Sequence, residues 1–123
     1  MTQKDIALIA AKALDDKRAK DIICLKVDEM TVITDYMVIA TGRSVPQVKA
    51  LADNVEDELA KADLFAKRRE GVTEGRWSVL DYGDVMVHVF HEQDREYYQL
   101  ERLWADGTNE VAVDYDAAED AQA

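Results

Sequence analysis

Residues 76–90 read RWSVLDYGDVMVHVF. Asp81 and Asp84 flank a Tyr-Gly pair, and His88 follows. Paired carboxylates suit Mg²⁺, and an imidazole can gain or lose a proton near neutral pH. These residue types could therefore hold a metal or serve a general base. The same aspartates are also ordinary turn residues, whose oxygens accept from nearby backbone N–H groups. His88 and His91 are three apart on a strand, so their side chains point to opposite faces and cannot chelate one metal. No nucleophile, base and oxyanion site assemble from the rest of the chain. Cys24 is the only cysteine, which leaves no CxxC motif and no disulfide within the chain. Gly42-Arg43-Ser44 could cradle a phosphate at a strand–helix junction. The full GxGxxG and GxxxxGK[ST] patterns are absent, and ordinary helix capping is the expectation. No catalytic residue, metal or cofactor is predicted.

The elements that must position these residues follow from hydrophobic period. Residues 3–16 place Ile6, Ile9, Ala10, Ala13 and Leu14 on one helical stripe, and Thr2 with Asp5 resembles a capping pair. Residues 21–27, DIICLKV, read as a buried strand. Residues 31–42 hold one or two strands, with Thr34-Asp35 as the bend. The run from Tyr36 to Thr41 suits a central strand covered on both faces. Ser44, Gln47 and Pro46 open a second helix, with Val48, Leu51, Ala52, Val55 and Leu59 as its stripe. Leu64–Glu70 is a weaker edge strand, and its Lys67-Arg68-Arg69 run reads as a solvated edge or as a contact with nucleic acid. A third helix spans 92–104, with Tyr97, Leu100, Leu103 and Trp104 on its core side. Strands alternating with helices and closing on a hairpin give an α/β class: a single domain with a mixed β-sheet packed with about three helices.

A two-residue turn at Tyr82-Gly83 pairs Asp81 with Asp84, Val79 with Met86 and Trp77 with His88. Strand side chains alternate, so Leu80, Val85, Val87 and Val89 face the helices. Trp77, Val79, Met86, His88 and Phe90 occupy the other face, with carboxylates at one end. Such a face suits protein recognition, unless a further helix covers it. Arg95, Tyr98, Glu101 and Arg102 lie on the outer side of the third helix. Tyr98 and Glu101, three apart, can present together as a binding pair or form a solvated face.

A length of 123 residues fits one domain. The net charge is -11, but Asp106, Glu110, Asp114, Asp116, Glu119 and Asp120 all lie in the tail, where no Lys or Arg offsets them. The body is only mildly acidic. That argues against a phosphate backbone as the dominant contact and allows a basic protein partner. The expected division is an α/β domain over 1–105 and an acidic, disordered tail over 106–123. No apolar run is long enough for a membrane span and no signal pattern opens the chain, so the expected location is cytoplasmic.

The blocks AKDIICLKV (19–27), ITDYMVIATGRS (33–44), QVKALAD (47–53), WSVLDYGDVMVHVF (77–90) and REYYQLERLW (95–104) together resemble the Iojap family, the ribosomal silencing factors. The resemblance covers residues 3–105. It implies a nucleotidyltransferase-like fold without catalytic residues. Gly42 and Ser44 fall where such enzymes keep a Gly-Ser pair, yet the next acids, Asp53 and Glu56, lie deep in the helix. The resemblance also implies binding to the large ribosomal subunit through ribosomal protein fourteen, which blocks subunit joining and lowers translation when nutrients are scarce. It places contacts at Trp77, Asp81 and Tyr98, and the face analysis adds Tyr82, Met86, His88 and Glu101. Contact with ribosomal RNA is not expected to dominate. Two rival readings are a metal-dependent enzyme and a homodimerisation module that pairs through its apolar sheet face.

Overall fold

The computed structural model describes residues 1–115. Helix α1 spans Gln3–Asp16. The Thr2 hydroxyl accepts from the Asp5 N–H at 3.1 Å, and the Asp5 carboxylate accepts from the Thr2 N–H at 2.9 Å. This is the capping pair that the Thr2/Asp5 spacing predicts. Strands β1 (Lys20–Lys26) and β2 (Tyr36–Gly42) follow, then α2 (Val45–Ala60). Ser44 caps α2 by accepting from the Gln47 N–H, while Gln47 Oε1 reaches out to the Arg43 N–H at 2.7 Å. The chain continues through β3 (Arg68–Glu70), β4 (Trp77–Asp81), β5 (Val85–His91), α3 (Glu92–Tyr98) and α4 (Glu101–Trp104).

The strands form one mixed sheet in the order β1-β2-β5-β4-β3. Only β2 and β5 run parallel; the other neighbours are antiparallel. A parallel pair cannot be joined by a hairpin, so the chain between its strands crosses over through α2. Every residue of β2 is buried, as a strand covered on both faces should be. Helices α1 and α2 close one face over Cys24, Val38, Ala40, Leu80, Val85, Val87 and Val89. On the other face Leu25, Val27, Met37, Ile39 and Phe90 pack with Leu100 and the partly buried Trp104. The β4 side of that face is less covered, and Trp77, Val79 and Met86 stay half-buried.

Several expectations are corrected. The hairpin pairs Asp81 with Met86, Val79 with His88 and Trp77 with Phe90, a shift of two from the two-residue turn. The Tyr82 N–H donates to the Val85 carbonyl at 2.9 Å, with Gly83 between them at φ 85. The Asp84 carbonyl leaves the ladder because it accepts from the N–H groups of Asp35 and Tyr36 at the start of β2. A slip of two keeps every side chain on its expected face, where a slip of one would have inverted them. Second, β3 is shorter than Leu64–Glu70, because Asp63 at φ 62 turns Leu64 back onto the first core. Likewise β2 starts only at Tyr36, and 31–35 is a loop with Val32 and Ile33 exposed.

Third, the single helix over 92–104 is two. Gln99 adopts φ 47, ψ 49, a left-handed cap that ends α3. Fourth, the segment from 106 is docked as far as Tyr115. Glu110 bridges Leu25, and Val111, Val113 and Tyr115 pack against the first core. This cover blunts the outer edge of β1. Residues 116–123 of the expected disordered tail lie outside the described residues.

An open aromatic face on the sheet

The register fixes which side chains stand abreast on the face away from α1 and α2. One row runs Arg68, Asp81, Met86, Met37 and Leu25 across the sheet. The next runs Glu70, Val79, His88, Ile39 and Ile23. The third runs Trp77, Phe90 and Thr41. Period-two alternation therefore gathers an aromatic end, an aliphatic centre and a charged rim on one surface.

Trp77 is the hub of the aromatic end. Its ring stacks on Phe90 with centroids 4.8 Å apart, and Tyr98 leans on it at 4.9 Å. Tyr97 meets Tyr98 edge-on at 4.9 Å. Offset and edge-on contacts of this kind add to the stability gained from burial alone. Gly71, at φ 72, holds the approach to β4; a Cβ there would stand 2.0 Å from the Trp77 carbonyl oxygen. Phe90 is sealed beneath Trp77, whereas Tyr98 remains 49% exposed.

His88 lies under this layer, only 5% exposed. Its Nδ1 accepts from the Trp77 indole N–H at 3.2 Å, so the ring proton sits on Nε2, which is buried without a partner. Burial pushes its pKa down to about 4 from 6.5, which keeps the ring neutral. A histidine with a lowered folded pKa stabilises the fold fully above the unfolded value and loses that contribution as pH falls to the folded one. Stability is therefore expected to drop by roughly 3 kcal/mol from this group as pH falls from 6.5 to 4. Denaturant melts of the parent and of His88→Gln check this. The same pH slope in both would show that His88 contributes nothing to it.

The structure separates the expected site residues. Trp77, Asp81, Met86 and His88 share the open face, and Tyr98 covers its aromatic end. Asp81 also serves the turn, accepting from the Gly83 N–H at 2.7 Å. His88 supports Trp77 from beneath rather than presenting itself. Tyr82 belongs to the opposite face: it packs against the α1–α2 core, its hydroxyl is buried without a partner, and burial raises its pKa to about 12. Strand alternation itself puts it there, two residues on from Leu80 and on the same side of the sheet. Glu101 does not pair with Tyr98, because the break at Gln99 ruins the helical spacing; it accepts instead from Arg95 at 3.2 Å. Of the Lys67-Arg68-Arg69 cations only the two arginines lie on β3: Arg69 makes a forked contact with Glu56 of α2, and Arg68 faces Asp81 on the open side.

Arg95 is the residue that the sequence misplaces most. Expected on a solvated side, it is only 9% exposed. One guanidinium nitrogen, Nη1, donates to the Asp21 carbonyl and to Thr41 Oγ1, both at 2.9 Å. The β1–β2 register shifts between Lys20 and Ile23, and Asp21 sits there at φ 51 with its carbonyl free for Arg95. A bulge of this kind re-aims a strand's backbone. Conversely, Tyr97 and Leu103 from the expected core stripe are 80% and 70% exposed. Among the described residues no group of three or more His, Cys, Asp or Glu could hold a metal ion, and no helix is long and apolar enough to cross a membrane.

Fold and face together define a small mixed α/β domain whose sheet is closed by helices on one side and left partly open, lined with aromatic rings, on the other. A family model described as "Ribosomal silencing factor during starvation" matches residues 1–123. A ribosomal silencing factor from Bacillus subtilis is 46% identical over 106 residues, which are 86% of this chain and 90% of that protein. The chloroplastic Iojap protein of maize is 35% identical over 103 residues, 83% of this chain and 44% of that one. A crystal structure of a protein from Chromobacterium violaceum superposes with a TM-score of 0.84 at 39% identity, covering 94% of this chain and 97% of that one. Another, from Bacillus halodurans, gives 0.78 at 34%, covering 89% and 99%. The chain belongs to the ribosomal silencing factor family, as its sequence blocks imply, and it has the family's mixed α/β fold. The bacterial relative's name states a silencing role and no reaction.

Proposed function

We propose that this protein silences ribosomes in the cytoplasm by occupying the large subunit: it docks on large-subunit ribosomal protein fourteen and sterically keeps the small subunit from joining, which represses translation. The observation that carries this reading is the Trp77–Tyr98 pair, in which Tyr98 is 49% exposed and covers a half-buried Trp77 stacked on the sealed Phe90. Large aromatic side chains, held in place before the partner arrives, bind at low entropic cost and dominate interface energies. Asp81 and Glu70 on the same face, with the exposed Asp84 at the turn, suit a basic partner. Occlusion requires affinity and bulk but no chemistry, so neither metal nor cofactor is needed. A second copy bound through the same face would compete with the ribosome.

Light scattering of purified subunits tests this directly. Large subunits preincubated with excess protein are expected to lose most of their ability to join small subunits, and preincubating the small subunits instead should have far less effect before the two are mixed. Subunit joining at the parental rate and extent in both cases would refute occlusion.

A further inference from the structure

We infer that the bend between α3 and α4 is a second docking element for the same partner, with Tyr97 and Leu103 as its contacts and Arg95 as its positioning residue. The inference rests on the docking reading above. Tyr97 and Leu103 are 80% and 70% exposed, and helical spacing alone would turn both toward the core. Within α3, Arg95 and Tyr98 turn to the sheet, which leaves Tyr97 outward. The left-handed residue Gln99, a conformation that residues other than glycine seldom adopt, breaks the helical period and re-aims Leu103 of α4. Such a conformation persists only where surrounding contacts hold it. Here one side chain does much of that: Arg95 of α3 reaches Asp21 at the β1 edge and Thr41 on β2, and its Nε holds Glu101 of α4. The bend is thus fixed to the sheet with two large apolar side chains facing water.

The occupant follows from continuity. Tyr97 touches Tyr98, and Tyr98 touches Trp77, so the aromatic surface runs unbroken from the sheet onto α3. A single partner covering Trp77 and Tyr98 meets Tyr97 next. Glu96 beside it is exposed and makes no ion pair among the described residues. The partner surface opposite is accordingly apolar, with a cation within reach of Glu96. Neither Tyr97 nor Leu103 packs in the described core, so truncating either should leave the fold unchanged.

Co-sedimentation of the full chain with purified large subunits, beside a thermal melt of each variant, tests the assignment. Tyr97→Ala and Leu103→Ala are each expected to weaken binding roughly five- to twenty-fold with an unchanged melting temperature, and Leu103→Met should bind nearly as the parent does. Parental binding by both alanine variants, while Trp77→Ala fails to bind, would overturn the bend as a docking element and leave the sheet-face reading standing. Parental binding by all three would overturn both. A change confined to self-association, read by sedimentation velocity over a dilution series, would assign these residues to a second copy of the chain and overturn the inference.

Discussion

Tyr98→Ala is expected to lower affinity for the large ribosomal subunit by roughly thirty-fold or more, the loss typical of an aromatic hot spot worth about 2 kcal/mol. Trp77→Ala should cost at least as much. The two variants differ in what they do to the free protein. Tyr98 is half in solvent and makes only ring contacts, so its removal should lower stability by less than about 1 kcal/mol. Trp77 stacks on Phe90 and donates to His88 Nδ1. Its loss opens a hollow and strands a buried acceptor, at a cost of about 2–3 kcal/mol. Tyr98→Ala is therefore the cleaner probe, and Trp77→Phe is the control that keeps a ring but drops the N–H. Binding is read by co-sedimentation with large subunits and stability by denaturant melts. If Tyr98→Ala and Trp77→Ala both bind within twofold of the parent, the aromatic face is not the docking surface.

The face was legible because strand side chains alternate whatever the turn. Misjudging the Tyr82-Gly83 turn moved the pairing by two residues, and Trp77, Val79, Met86, His88 and Phe90 stayed together. Tyr82 is the exception: the same alternation places it with Leu80 on the helix side, so its assignment to the contact face ran against the rule that held for the others. Both long helices showed their ends through cap chemistry at Thr2 and Ser44. Residues 92–104 were different. Tyr97, Leu100, Leu103 and Trp104 satisfy a helical period, and nothing local announces that Gln99 takes a positive φ. That break depends on tertiary bonds from Arg95 to Asp21 and Thr41, groups distant in sequence. Composition likewise made the segment from 106 look disordered, although alternate residues Val111, Val113 and Tyr115 reach the core. Three apolar side chains at strand spacing were the signal there, and the surrounding acids obscured it.

Arg95→Ala should be among the most damaging single changes outside the sheet, because one guanidinium hydrogen-bonds the bend to both β1 and β2. Its loss leaves the buried Thr41 Oγ1 and the part-buried Asp21 carbonyl without their donor, and frees Glu101. Leaving these acceptors unsatisfied and emptying the guanidinium's buried place costs about 3 kcal/mol, which lowers the melting temperature of a domain of this size by roughly 10 °C. Glu101 is part-exposed, so the ion pair itself contributes little and Glu101→Gln should cost under about 1 kcal/mol. Arg95→Lys separates charge from geometry. A lysine keeps the charge, but a single ammonium cannot reproduce the planar fork that serves Asp21, Thr41 and Glu101 together. It should recover less than half of the lost stability. The docking surface adds a second readout, since a loosened bend no longer holds Tyr98 against Trp77. Arg95→Ala should therefore weaken large-subunit binding at temperatures where the body is still folded, whereas Glu101→Gln should leave binding near parental. A melting temperature within about 2 °C of the parent for Arg95→Ala would mean that the bend is held by Leu100 and Trp104 packing on the sheet, and not by the buried arginine.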